Sequence, residues 1–381
     1  MKILVLSEAY PSPERMYAMG FVHSRSLEYL RLGHEVTVLS FAAQEAYEFE
    51  GVKVCSESDV RALPDAGAAF DVIFSHAPNL RHHLRLLDDF APLPLVFFLH
   101  GHEVLLTLRH YPAPFAFDRS LRQRMGRLLR AAYDPVKLFA FRRFCTRERS
   151  RGRRLGLVFV SQWMQRETIA CSPWIASARG LPMRIIPNAV NRVFIDGHYA
   201  PVAQPDADFI CIRPFDNPKY AVDRVAEWAR ACPQRSFHVF GSGRYFDFNP
   251  PPANLTVIRR FIAQRDIPAL LDRYRACAMP TRLDAQGVMG CEMATYGIPL
   301  FTSDLDVTRE VLGGFDNVRR LGADDADTGR VELELLDLPP ALPVDDPVRH
   351  RFHGPRLAAE ELAFADEVAG RPPRADGAAT P

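Results

Sequence analysis

The sequence predicts an α/β fold built as two doubly wound domains, and three features carry that expectation. The chain has 381 residues, more than one hydrophobic core ordinarily serves. Short aliphatic and β-branched runs alternate with segments of helical period, the pattern of parallel strands covered by helices. The alternation occurs twice, interrupted over 187–208 by a stretch rich in Pro, Asn, Asp and Ala.

Taken in order, "KILVLS" reads as the first strand, "GFVHSRSLEYLRLG" as a helix and "HEVTVLSF" as the second strand. "FDVIFS", "LPLVFFLHG" and "LGLVFVS" read as further buried strands, the last followed by the helix "QWMQRETIA". In the second half "DFICIR", "FHVFGSG", "NLTVIRR" and "CAMPT" read as strands, set between the helical segments "YAVDRVAEWARA", "IPALLDRYRA" and "GVMGCEMATYG". The division that follows is an N-terminal domain over 1–190 and a C-terminal domain over 191–345. After them come a last helix over 346–369, for which a return to the N-terminal domain is one option, and a Pro-rich tail over 370–381 expected to be disordered.

Apolar content of 48% and charged content of 24% are those of a soluble globular protein, and the net charge of +1 argues against a nucleic-acid binder. Seven scattered cysteines, with no C-x-x-C pair and no Cys/His set at zinc spacing, read as reduced cytosolic thiols. The opening apolar run is too short for a signal peptide, and no run reaches the ~18 to 20 apolar residues of a membrane span. A cytoplasmic chain that neither spans a membrane nor carries its own secretion signal is therefore expected.

Charge is unevenly spread. Over 109–154 thirteen arginines and Lys137 stand against Asp118, Asp134 and Glu148, an excess of about +11. "RSLRQRMGRLLRAAY" puts Leu121, Met125, Leu128 and Leu129 on one helical face, and "PVKLFAFRRF" adds a Phe-rich face, so this segment reads as a basic amphipathic pair. Two destinations stay open: the anionic face of a membrane, or packing on the N-terminal domain with the arginines solvated or binding an acidic saccharide. No nucleic-acid motif accompanies the arginines.

The stretch "PTRLDAQGVMGCEMATYGIP" carries the chemistry. A helix beginning at Gly287 leaves the amides of Gly287, Val288 and Met289 as unpaired first-turn donors beyond a strand end, a site suited to phosphate. Asp284 lies on the loop before it and Glu292 further along the helix. An ionised carboxylate only accepts hydrogen bonds, so two of them flanking a phosphate site suit a ligand with hydroxyls on both sides of a diphosphate, as in a nucleotide sugar. On these residues alone, a solvated loop Asp and a helical Glu held by local backbone is an equally open reading.

The same stretch resembles the signature of the family 4 retaining glycosyltransferases of GT-B fold, here on Pro280, Thr281, Arg282, Asp284, Gly287, Glu292, Met293, Ala294, Gly297 and Pro299. Asp284 stands where that family usually has the longer Glu. "CIRPFDNPKYAVD" resembles the family's Gly-Arg…Lys-Gly segment, with Arg213 and Lys219 at the positions of its diphosphate-binding cations and Ile212 and Tyr220 in place of glycines. "LVFVSQWMQRE" and "IIPNAVNRVF" resemble two further landmarks, the second with Ala189 replacing Gly. Gly20 matches the glycine that approaches the donor, and His100 in "VFFLHGHEV" matches a His near the transferred sugar; His76 and His102 are weaker candidates and His34 reads as a turn residue. "HVFGSG" resembles the family's Gly-x-Gly turn, for which donor contact and a plain tight turn at Gly241 and Gly243 stay open.

The resemblance spans about residues 1 to 315. It implies two Rossmann-like domains facing a central cleft and transfer of a hexose-type residue, with retention, from a nucleotide diphosphate sugar to a glycan or lipid-linked saccharide. Bacterial surface-polysaccharide assembly, of lipopolysaccharide or capsule type, is the implied context, at the cytoplasmic membrane face or free in the cytoplasm. No cofactor and no metal are implied, because Arg213, Lys219 and the helix amides supply the positive field. Asp284 would position the donor sugar, Glu292 the ribose, and His100 would orient the sugar. A sugar-nucleotide epimerase of the same fold, or a donor-binding partner subunit without turnover, are the alternatives.

Overall fold

The computed structural model describes residues 1–13, 15, 18–63, 69–90, 92–322 and 328–372, so most of the tail expected over 370–381 lies outside the described residues. The chain forms two compact units. Unit 1 comprises Met1–Thr107, Arg130–Ala189 and the chain from Gly354 on; unit 2 comprises Leu108–Leu129 and Val190–His353.

Unit 1 holds an eight-stranded sheet of β1 (Lys2–Ser7), β2 (Glu35–Ser40), β3 (Tyr47–Phe49), β4 (Val52–Cys55), β5 (Val72–His76), β6 (Leu95–Leu99), β7 (Leu155–Phe159) and β8 (Met183–Ile185). The order is β3-β4-β2-β1-β5-β6-β7-β8, parallel throughout except where β3 pairs with β4. Its central run β4-β2-β1-β5-β6-β7 is the 3-2-1-4-5-6 order of dinucleotide-binding sheets. Every residue of β5, β6 and β7 is buried, as both faces of a parallel sheet require.

Four longer helices belong wholly or partly to this unit: α1 (Gly20–Arg31), α2 (Leu121–Ser150), α3 (Gln162–Cys171) and the C-terminal helix Gly354–Ala369. Leu357, Phe364 and Val368 of the C-terminal helix Gly354–Ala369 join Ile3, Tyr29 and Phe74 in one core. A buried polar lock fastens that helix to α1. Arg25 donates to Glu361 at 2.7 Å and to Asn188, and the Tyr29 hydroxyl donates to the same Glu361 carboxylate.

Unit 2 holds a six-stranded, wholly parallel sheet of β9 (Ala207–Ile212), β10 (Phe237–Phe240), β11 (Leu255–Ile258), β12 (Tyr274–Ala278), β13 (Leu300–Ser303) and β14 (Val318–Leu321). The order β11-β10-β9-β12-β13-β14 is again 3-2-1-4-5-6, which puts the topological switch between β9 and β12. Helices α4 (Val222–Ala231) and α5 (Val288–Tyr296) are the two that matter for the site.

Several expectations need correction. The basic segment is one continuous helix, α2, with Pro135 inside it rather than two helices. The turn that proline weakens is fastened from outside: Asp134 accepts from Thr107, Lys137 pairs with Asp134 at 2.7 Å, and the Lys137 ammonium also donates to the carbonyls of His102 and Leu105. Residues 108–129 group with unit 2, because Phe117 stacks on Phe248 at 4.7 Å, Phe115 packs on Tyr245, and Asp118 pairs with Arg244.

The last helix starts at Gly354; Pro347–Phe352 before it is a 3-10 turn within unit 2. In "IPALLDRYRA" the helix stops at Leu271, since Tyr274 already pairs with Ala207 as the start of β12. Strands β3, β4, β8, β13 and β14 are additions to the strands read from the sequence.

Candidate functional site

The loops that follow β9, β10 and β12 bring the second-half candidates to the carboxyl ends of the strands flanking the switch point, where open α/β sheets bind ligands. Arg213 follows β9 directly, its backbone N–H continuing the ladder to Phe240 O at 2.9 Å. The residue is 8% exposed, its Nε is buried without a partner, and it forms no ion pair among the described residues. Lys219 sits in the 3-10 turn Pro218–Tyr220, capped by the Asn217 side chain. Both cations lie on one ring: the Arg213 guanidinium is 5.3 Å and the Lys219 ammonium 4.6 Å from the Tyr220 centroid. Two neighbouring cations without an acid, one of them buried, are costly unless an anion completes them. The aromatic face offsets part of that cost.

The Pro280-Thr281-Arg282 run holds this turn in place. Arg282 N–H donates to Lys219 O at 2.8 Å and the Thr281 hydroxyl donates to the same carbonyl at 3.0 Å. The Arg282 guanidinium grips Asp223 of α4 with two bonds of 2.8 and 2.6 Å. Thr281 and Arg282 therefore tie the loop after β12 to the loop after β9.

Gly241 and Gly243 follow β10. A Cβ at Gly241 would lie 1.9 Å from the Arg213 carbonyl oxygen, and one at Gly243 would lie 2.8 Å from the Asp216 backbone N. Both glycines are thus demanded by the close passage of the β9 loop, whatever else they contact.

Gly287 caps α5 in the left-handed conformation, at φ 78°, with no side-chain cap. Cys291 N–H makes the first helical bond, to Gly287 O, so the amides of Val288 and Met289 ahead of it have no acceptor among the described residues. Asp284 uses one carboxylate oxygen to accept from Ala285 N–H at 2.9 Å and Gln286 N–H at 3.4 Å, and it has no cationic partner among the described residues.

Glu292, 2% exposed, accepts through Oε1 from Asn191 N–H at 3.2 Å and from Gln264 Nε2 at 2.6 Å. The Asn191 amide in turn donates to Gln264 Oε1 at 3.1 Å, closing a ring of bonds that fixes one oxygen of Glu292 and leaves Oε2 without a hydrogen bond among the described residues. Burial pushes this carboxyl up to about 7, against the pull of both donors. Glu292 is thus held, through one oxygen only, by the remote residues Asn191 and Gln264 rather than by local backbone.

In unit 1, His76 ends β5 and His100 follows β6. Their rings meet through His76 Nδ1 and His100 Nε2 at 3.2 Å, and Phe21 packs on His100 at 4.4 Å. Burial, then the charge of Arg25, hold both imidazoles well below their ordinary range, so the pair is neutral, one ring donating and the other accepting. His76 Nε2 is buried without a partner. The Glu103 carboxylate accepts the N–H groups of His100 and Gly101, setting the turn. Gly20 opens α1 beside Phe21, and a Cβ there would meet nothing within 4 Å. His34 binds the terminal amine, as a turn residue would, and His102 is exposed near Glu103.

Sequence reasoning missed Tyr220 as a contact, the Asn191–Gln264 pair behind Glu292, and the Arg25–Glu361 lock. Only Tyr220 carried a signal, an aromatic next in sequence to one of the two cations. The other pairs join residues far apart in the chain.

These two sheets and their loops define the GT-B fold. Solved structures similar to the whole chain have it. Sucrose-phosphate synthase from Thermosynechococcus elongatus matches with a TM-score of 0.65 at 11% identity, over 97% of this chain and 100% of that one. WaaG, a glycosyltransferase involved in lipopolysaccharide biosynthesis, matches with a TM-score of 0.57 at 13% identity, over 97% and 100%. A trehalose-6-phosphate protein from E. coli bound with UDP-2-fluoro glucose matches with a TM-score of 0.55 at 10% identity, over 98% and 100%. No family model and no curated protein matches the sequence. At these identities the likeness establishes the fold.

Proposed function

We propose that this chain is a glycosyltransferase that moves a hexose-type residue from a nucleotide diphosphate sugar to a glycan or lipid-linked saccharide, with retention at the anomeric carbon. The observation that carries the reading is the uncompensated pair Arg213 and Lys219 at the switch point of unit 2, one of them buried with an unpartnered Nε. A diphosphate supplies the missing negative charge, and as its bond to the sugar breaks, the leaving group gains charge that these cations and the amides of Gly287, Val288 and Met289 stabilise. Asp284 accepts hydroxyls of the donor sugar, and Glu292 Oε2 accepts those of the ribose. Asp284 needs no nucleophilic role, because leaving-group phosphate can take the acceptor proton on the same sugar face. The neutral His100, steadied by His76, orients the sugar, and no step requires a metal. Bacterial surface-polysaccharide assembly is the proposed setting; WaaG, of the same fold, serves lipopolysaccharide biosynthesis.

The test is a thermal-shift screen with UDP-, GDP-, ADP- and CMP-sugars, followed by turnover with the donor found. A nucleoside diphosphate sugar should raise Tm, and NMR of the product should show the donor's anomeric configuration. Arg213→Ala and Lys219→Ala should each lower turnover by about 10²–10³-fold. Near-normal turnover in both variants overturns the assignment. Epimerised donor without any acceptor would mark an epimerase instead, and binding without transfer across a broad acceptor panel would mark a non-catalytic donor-binding subunit.

A further inference from the structure

Helix α2 presents a surface that the donor site does not use. Among the described residues, seven of the seventeen large apolar side chains that stand exposed lie on it: Leu121, Met125, Leu128, Leu129, Tyr133, Val136 and Phe139. Leu121 is 84% exposed, Leu129 63% and Phe139 64%. At 3.6 residues per turn all but Tyr133 fall in one narrow stripe, about 27 Å long at 1.5 Å per residue. The opposite face of the same helix carries its buried residues, Asp134, Phe141, Phe144, Cys145 and Glu148. The stripe is therefore the side turned away from the protein.

Arginines accompany the stripe. Arg122, Arg124, Arg142 and Arg143, which lie on or beside it at about 100° per residue, are exposed and form no ion pair among the described residues. The first turns of α2 hold no acid, and Asp134, the first acid along the helix, is buried and paired with Lys137. Apolar side chains with unpaired cations in one plane match a layer that is hydrocarbon beneath and anionic above, with the aliphatic stems of arginine spanning the boundary. A second copy of the helix would set arginines against arginines. Nucleic acid would satisfy the arginines but leave the leucines and Phe139 in water. No helix among the described residues is long and apolar enough to cross a membrane, so the helix would lie on the surface rather than span it.

We propose that α2 docks the protein on an anionic lipid bilayer, lying in the interface with Leu121, Met125, Leu128, Leu129, Val136 and Phe139 toward the acyl chains and the arginines among the lipid phosphates. The proposal rests on exposure and charge and stands apart from the sugar-transfer reading.

The test is sedimentation of the full chain with vesicles of phosphatidylcholine alone or mixed with phosphatidylglycerol, at low and high salt. Binding should require the anionic lipid and fall as salt rises. Leu121→Ser/Leu128→Ser/Phe139→Ser and Arg122→Gln/Arg124→Gln/Arg142→Gln change exposed residues only, so both should keep the wild-type Tm. Each should weaken partitioning, the arginine set by about a hundredfold at roughly fivefold per cation. No binding to anionic vesicles, equal binding to neutral ones, or wild-type binding by both folded variants overturns the proposal. So does a lipid-independent dimer, seen by analytical ultracentrifugation, that the triple serine variant abolishes. The donor thermal shift, read on the same preparations, tells failure here from failure of the transfer reading.

Discussion

At the carboxyl ends of β1, β5 and β6, unit 1 carries Phe21, His76 and His100, while at those of β9, β10 and β12 unit 2 carries Arg213, Lys219, two glycines and the start of α5. Both sheets run in the same order, so both have a switch point at which a ligand could sit. What differs is the charge left unmatched. In unit 1 the imidazoles are neutral and the buried cations Arg25 and Arg153 are matched by Glu361 and Glu148. In unit 2 Arg213 and Lys219 have no acid at all among the described residues, and the amides of Val288 and Met289 have no acceptor. Topology makes the two crevices, and compensation of charge decides which one calls for an anion.

The hardest way to break this contrast is to remove the matching acid in unit 1. Arg25 and Glu361 are 2% and 1% exposed as side chains, so Glu361→Gln strands a buried guanidinium and should lower stability by about 3–5 kcal/mol, read from urea unfolding. A loss below about 1 kcal/mol would mean that Arg25 is not a compensated buried charge, and the distinction between the units would fail.

Glu292 offers a pH test of unit 2. Its carboxyl has an ordinary value of 4.5 and is raised by burial to about 7, so between those values the folded chain holds a proton that the unfolded chain has released. The unfolded state then binds fewer protons, and stability must fall as pH rises through that window, by up to about 3 kcal/mol from this residue. Glu292→Gln should remove that part of the slope when urea unfolding is compared at pH 5 and pH 8. Donor affinity should move the other way, rising across the window in the wild type and not in the variant, because the ionised carboxylate is the better acceptor of ribose hydroxyls. Identical pH slopes in both proteins would remove Glu292 from both roles.

Tyr220 tests whether the two cations are held ready before the ligand arrives. Tyr220→Phe keeps the ring and should keep kcat/KM. Tyr220→Leu removes about 1 kcal/mol or more of cation–π attraction and should lower kcat/KM by about tenfold. Equal values for the two variants would show that the ring is only packing.

The sequence displayed the central strands of both sheets because "KILVLS", "LPLVFFLHG" and "DFICIR" are buried on two faces and read as unbroken apolar runs. It hid the short strands β3 and β8, three residues each, and it made α2 look broken, since Pro135 is a stop signal whose repair comes from Thr107, His102 and Leu105. The candidate site was legible where chemistry sits in short order, as from Asp284 to Glu292. It was illegible where one side chain reaches across the fold: nothing in "FIAQRDIP" marks Gln264 as the donor that orients Glu292, and nothing in "AAEELAF" marks Glu361 as the partner of Arg25. Thr281 and Arg282 fall between these cases, visible as a motif yet acting as struts for the Lys219 turn.

The smallest expected effect belongs to Gly20, and it divides the two units most finely. In unit 2 Gly241 is fixed by the protein itself, for any Cβ would collide with the Arg213 carbonyl. Gly20 has no such reason to be glycine. Open space surrounds the position of its missing Cβ, and it is the first residue of α1, where alanine is the better helix former. Gly20→Ala should therefore leave stability unchanged or raise it by up to about 1 kcal/mol in urea unfolding. If substrate passes over the start of α1, the added methyl should still raise KM several-fold with the fold intact. An unchanged KM in a protein that is as stable or more so would remove Gly20 from the substrate path.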